Sequence, residues 1–258
     1  MKRFYALLFA LSLLPASSEA AIHTESVLYE QGGKTLEGYL AYDDAAEGRL
    51  PGVLVVHDWM GLRSSTKKRA EALAALGYVA FAADIYGKDA RPADQKEAGA
   101  AAGIYKSDRK LMRERAAAGL EVLKKQDKTD SSRTAAIGYC FGGMAVLELA
   151  RSGADVQGVV SFHGGLDTPD LNGAKNIKAK VLVLHGADDP FAPAEHVTAL
   201  DDELRQAGAD YQIHLYGGAV HSFTEPEAGN DPSKGAAYNE SADKRSWEAM
   251  KQFFAEIF

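Results

Sequence analysis

The sequence predicts an α/β fold built on an open, mostly parallel, doubly wound sheet with helices on both faces. Three observations predict it. Short uninterrupted apolar runs recur along the chain, the pattern of strands covered on both sides rather than on one. Segments with apolar residues at helical spacing separate those runs. Turn-forming clusters rich in Gly, Asp and Pro follow several of them, as in Gly186-Ala187-Asp188-Asp189-Pro190. With 258 residues, 46% hydrophobic and 25% charged, the chain is long enough for one large globular domain and has the ordinary composition of one.

The elements follow in order. Lys2 and Arg3, the apolar run Tyr5 to Leu14, Pro15 and the small-residue end Ser18-Glu19-Ala20 form the pattern of a secretory signal peptide over residues 1–20. Cleavage after Ala20 and export, most simply to a bacterial periplasm, are expected, leaving a single domain over 21–258 with no membrane attachment. Glu25 to Tyr29 and Lys34 to Tyr42, joined by Gly32-Gly33, read as an antiparallel hairpin at a sheet edge. Buried strands are expected at Gly52 to His57, Tyr78 to Ala83, Thr134 to Gly138, Val156 to Phe162, Lys180 to His185 and Tyr211 to Tyr216. Helices are expected at Ser64 to Leu76 (stopped by Gly77), Asp108 to Lys125, Gly143 to Arg151, Ala194 to Ala207 (ending at Gly208) and Ser241 to Phe258. The segments Gly87 to Ser107 and Glu225 to Tyr238 receive no regular element. Such alternation implies right-handed crossovers.

Composition also excludes function classes. The net charge is 29 − 36 = −7, and basic residues occur only in short runs such as Lys124-Lys125, none longer than Lys67-Lys68-Arg69, which argues against nucleic-acid binding. The one cysteine, Cys140, rules out an intrachain disulfide and any multi-thiolate metal site. His57, Asp58, His185, Asp188, Asp189 and His221 lack tight metal-ligand spacing. No metal and no cofactor are expected.

Gly138-Tyr139-Cys140-Phe141-Gly142-Gly143 lies between an expected strand and an expected helix. This is the nucleophile-elbow pattern with Cys in place of Ser. Glycines two before and two after the nucleophile remove side chains that would collide across the turn, and the helix N-terminus favours thiolate. The Phe141 N–H is then placed for an oxyanion. A triad further needs an acid and then a histidine, each after a later strand. The loop after Lys180 to His185 offers Asp188 and Asp189, and the loop after Tyr211 to Tyr216 offers His221. Ser222 lacks the glycine-flanked turn. His185 and His214 read as strand residues, and His23 and His196 as surface. His57 and His163 end strands near the site.

The elbow, Asp189 in Asp-Pro-Phe-Ala-Pro, His221 in His-Ser-Phe, His57-Asp58-Trp59-Met60-Gly61 and Asp84-Ile85-Tyr86-Gly87 together resemble the dienelactone hydrolase family of the α/β-hydrolase superfamily. The resemblance runs from about Gly52 to Phe223. It implies an eight-stranded sheet, a Cys140–Asp189–His221 triad and a second oxyanion N–H from Trp59. It implies hydrolysis of a small-molecule ester or lactone through a thioester, and a monomer is expected. It places Asp58 where the family has a longer acid that pairs with the thiol, and Tyr86 and Phe223 around the pocket; by their strand-end positions His57 is expected to shape the pocket and His163 to be structural or pocket-lining. The family grips a substrate carboxylate with two arginines; here Lys88 and Glu225 stand at those positions. Lys88 keeps the charge without the bidentate fork, and Glu225 reverses it and is expected to repel an anionic substrate. Two other readings remain open: a Cys-elbow enzyme of the amidotransferase or glyoxalase kind, and a non-catalytic binding or redox protein with the same fold.

Overall fold

The computed structural model describes residues 21–258, so the expected signal peptide lies outside the described residues. Eight strands and six α-helices alternate in the order β1 Ile22–Gln31, β2 Lys34–Asp43, β3 Leu50–Val56, α1 Ser64–Ala74, β4 Val79–Ala83, α2 Gln95–Ser107, α3 Arg109–Lys124, β5 Thr129–Tyr139, α4 Phe141–Arg151, β6 Gly158–Phe162, β7 Lys180–Gly186, α5 Ala194–Ala207, β8 Tyr211–Tyr216 and α6 Glu240–Ile257. The strands form one sheet in the order β1-β2-β4-β3-β5-β6-β7-β8. The β1–β2 hairpin and the β2–β4 pair are antiparallel, and every other pair is parallel.

The continuous apolar runs become the central strands: every residue of β4 and β6 is buried. One packed layer joins the sheet to α3, α4 and α5 through Met112, Leu147 and Leu200. The opposite layer joins it to α1 and α6 through Leu73, Met250 and Phe254. Helices on both faces are what near-continuous strand hydrophobicity requires.

Three differences from expectation have local causes. β8 is an edge strand, half-buried with Gln212 and Leu215 exposed, and not a fully buried one. β5 starts at Thr129, its pairing with β3 shifting register between Pro51 and Gly52. The segment before α3 contains a helix, α2, capped by the Asp94 side chain accepting the Glu97 N–H. Its sequence, QKEAGAAAGIYKS, carries no apolar stripe, so its periodicity is silent.

Candidate active site

The C-terminal ends of the parallel strands carry Asp58 after β3, Cys140 after β5, His163 after β6, Asp189 after β7 and His221 after β8. Ligands bind at this end of open α/β sheets.

The bend at the end of β5 depends on missing side chains. A Cβ on Gly138 would lie 2.0 Å from the Gly142 carbonyl oxygen, and one on Gly142 would lie 2.2 Å from that of Val56. Without those atoms, strand and helix meet across one residue. Cys140 occupies it at φ 54°, ψ −112°, a conformation that costs on the order of 1–3 kcal/mol and survives only where packing over-determines it. That packing comes from α4, whose eleven residues are all buried. Phe141 N–H is the first unpaired amide of α4, beside the thiol.

His221 reaches the sulfur from the loop after β8. Its N–H donates to the Gly235 carbonyl at 3.2 Å and its carbonyl accepts the Ala237 N–H at 3.0 Å, which pins the loop. Its Nε2 lies 3.0 Å from Cys140 Sγ, and its Nδ1 lies 2.8 Å from Asp189 Oδ2. Asp189 is buried, and its other oxygen accepts the N–H groups of Phe191 and Ala192 at 2.8 and 3.3 Å. Asp188 instead accepts the Gly218 N–H at 3.0 Å on the surface. Burial opposes the charged form of His221, but Cys140 and Asp189 outweigh it and push the imidazole up to about 10. The arrangement holds a proton on His221 next to the sulfur.

A cavity of about 660 Å³ opens in front of Cys140, Phe141, Trp59 and His221. The Trp59 peptide is held by the Tyr86 hydroxyl, which donates to its carbonyl at 2.9 Å. Phe191 sets its ring edge-on to His221, centroids 5.3 Å apart.

Several expected pocket residues stand elsewhere. Asp58 does not pair with the thiol: its Oδ2 accepts from Arg63 at 2.6 Å and its Oδ1 accepts the Met60 N–H at 2.7 Å, so it shapes the loop that carries Trp59. His57 accepts the Ile85 N–H on Nε2 and, through Nδ1, donates to the Asp58 carbonyl; it lies beneath Phe141 and ties β3 to β4. Tyr86 is buried behind Trp59 and is not part of the cavity wall. Lys88 is exposed, its N–H donating to Thr35, and does not line the cavity. His163 and Phe223 are buried behind His221, with His163 Nε2 2.8 Å from Thr224 Oγ1.

Glu225 also points away from the cavity lining. It sits near Arg63 and Arg69, which already have partners in Asp58 and Asp243. Burial and the neighbouring Asp58 push its carboxyl up to about 7, against the pull of Arg69 and Arg63. The charge reversal therefore acts on a half-buried cluster and not on the cavity wall.

The wall that sequence reasoning missed comes from α2 and the start of α3: Gly99, Ala102, Gly103, Lys106 and Arg109, faced by Met144. The i, i+3, i+4 spacing of 99, 102, 103 and 106 was the available signal, hidden because glycine and alanine do not stand out as an apolar face.

The profile of the dienelactone hydrolase family matches residues 36–258. The chain belongs to the dienelactone hydrolase family. A solved dienelactone hydrolase-like promiscuous phosphotriesterase, P91, from metagenomic libraries is 42% identical, with a TM-score of 0.88 over 92% of this chain and 99% of that one. A solved chain named m3DLH is 39% identical, with the same TM-score and coverages. A Salmonella typhimurium protein assigned by name only as a carboxymethylenebutenolidase is 28% identical over 94% of each chain. The family consists of hydrolases of ester and lactone bonds, and this member has the family's eight-stranded, mostly parallel sheet with its N-terminal antiparallel hairpin.

Proposed function

We propose that this hydrolase cleaves small carboxylic esters or lactones by acyl transfer to Cys140. The observation that carries the reading is the continuous line Cys140 Sγ–His221 Nε2, His221 Nδ1–Asp189 Oδ2, at 3.0 and 2.8 Å. His221 holds the proton drawn from the thiol, and the sulfur attacks the substrate carbonyl. The Phe141 and Trp59 N–H groups receive the oxyanion, each such donor contributing about 3–4 kcal/mol in related chemistry. His221 then protonates the departing alkoxide, leaving a thioester. Water, deprotonated by the same imidazole, hydrolyses it and restores the thiol. Asp189 holds the tautomer that keeps Nε2 toward sulfur throughout.

A Cys-elbow enzyme of the glyoxalase kind needs a glutamate beside the thiol; among the described residues the cavity lining contains none. In the exported form that residues 1–20 suggest, the site works outside the inner membrane on a small-molecule ester, without cofactor. The test is hydrolysis of 4-nitrophenyl acetate by the wild type and by Cys140→Ala, with intact-protein mass spectrometry after a slow ester. Loss of turnover and an acyl adduct on Cys140 are expected. Unchanged turnover, or an adduct on another residue, overturns the assignment.

A further inference from the structure

The face of α2 turned to the cavity is Gly99, Ala102, Gly103 and Lys106, at i, i+3, i+4 and i+7. Two glycines in the interior of a helix are unfavourable relative to alanine, and packing does not require these. A Cβ on Gly103 would meet nothing within 4 Å, and one on Gly99 would meet only the rim of the Trp59 indole at 3.9 Å. Neither has a positive φ. Close approach, turn geometry and strain, which account for Gly138 and Gly142, are all absent here. What the glycines supply is open volume in the cavity that Cys140, the Trp59 indole and the buried Met144 side chain also line. Aromatic rings pack favourably against both an indole and a thioether. A cavity of about 660 Å³ is in the range that holds drug-sized ligands, about 300–1,000 Å³.

The far end of this slot is polar and incompletely satisfied. Arg109, its side chain one-tenth exposed, gives its two terminal nitrogens to Asp167 and to the Met144 sulfur. Its Nε is buried without a partner. Lys106 Nζ has no carboxylate within 4.0 Å among the described residues. An unpaired buried donor in a cavity wall is costly unless a ligand or water answers it.

We infer that Gly99 and Gly103 set substrate specificity: they keep a slot along α2 that takes an ester or lactone bearing a bulky, planar apolar group of bicyclic-aryl size. This rests on the reading of Cys140 as nucleophile.

The experiment compares kcat/KM for three acyl donors: vinyl acetate, small on both sides; 2-naphthyl acetate, bulky on the alcohol side; and vinyl 2-naphthoate, bulky on the acyl side. Each naphthyl value is divided by the vinyl acetate value of the same preparation, so the fraction of folded protein cancels. Gly103→Leu is expected to lower at least one ratio fivefold or more relative to wild type. Gly103→Ala is expected to raise Tm by about 2–4 °C, the gain for removing an unneeded helical glycine in a chain of this size. A smaller change in both ratios overturns the inference, as does a wild type that turns over neither naphthyl ester. A fall in Tm for Gly103→Ala would return the glycine to a structural role and overturn it equally. Cys140→Ala assayed on vinyl acetate separates the two claims. Retained activity there defeats the nucleophile assignment, while the ratios still report the slot.

Discussion

His221 stands between a sulfur and a carboxylate, and each contact constrains it differently. The contact with Cys140 raises its affinity for a proton; the contact with Asp189 decides which nitrogen is free to hold it. Asp189→Asn keeps the shape and can keep the bonds from Phe191 and Ala192, but its amide nitrogen would oppose the Nδ1–H. A fall of about 10⁴ in kcat is expected, the size seen when a triad acid is made an amide. Stopped-flow acylation with an unchanged Tm checks it. Glu225 invites the opposite kind of test. Its carboxyl titrates near 7 in the fold against 4.5 as a free side chain. The folded state therefore binds the extra proton between those values, and ionising Glu225 costs stability as pH rises through that window. Glu225→Gln should leave stability nearly unchanged at pH 5 and raise it at pH 8. The gain is at most about 3 kcal/mol, and less after solvent screening. Urea unfolding at the two pH values measures the difference, and a variant less stable at pH 8 would show that the ionised carboxyl is needed there.

At the scale of elements, β5, the elbow and α4 act as one unit, because the thiol's direction is set by how closely α4 approaches β3. Gly142→Ala would press a methyl group onto the Val56 carbonyl oxygen. A loss of about 3 kcal/mol and a slower reaction of Cys140 with iodoacetamide are expected, read by denaturation and by alkylation rate. The other end of α4 is held by charge. Arg151, fully buried, donates to both oxygens of Glu203 and to Glu148. Removing one partner leaves an uncompensated buried charge, so Arg151→Ala should cost about 3–5 kcal/mol while a Glu203→Gln, Arg151→Met pair costs less. These elements differ in how plainly the sequence announces them. The strands of the sheet centre were legible because burial on both faces demands unbroken apolar runs. The elbow was legible because backbone contact forbids side chains at 138 and 142. α2 was not, since its defining face is an absence of side chains. Asp58 misled for a related reason: its place in the sequence matches the family's acid, but its partner, Arg63, is chosen by local geometry one turn further on.

Across the whole molecule, the strand ends that bring the site together also bury imidazoles. His57, His163 and His185 each lie at the C-terminal end of a parallel strand or just past it and are almost fully enclosed. Burial holds all three below the ordinary value of 6.5, His163 well below it and further lowered by His221. They are neutral in the fold, and each has a contact suited to that state, such as His185 Nε2 at 2.7 Å from the Ala192 carbonyl. In the unfolded chain the same residues take up protons below about 6.5. The unfolded state then binds more protons, so stability is present above 6.5 and is lost as pH falls toward the folded values. His221 does not counter this trend. Its raised value makes its contribution complete below 6.5, so it adds no slope there. Glu225 does counter it, with one proton gained by the fold between 7 and 4.5. Three imidazoles against one carboxyl leave a net loss of stability as pH falls below about 6.5. Urea denaturation at pH 7, 6 and 5 should show that decline, and it should steepen in Glu225→Gln, where the opposing proton is gone. A stability curve flat from pH 7 to 5 in both proteins would mean that these imidazoles are not held neutral by the sheet that encloses them.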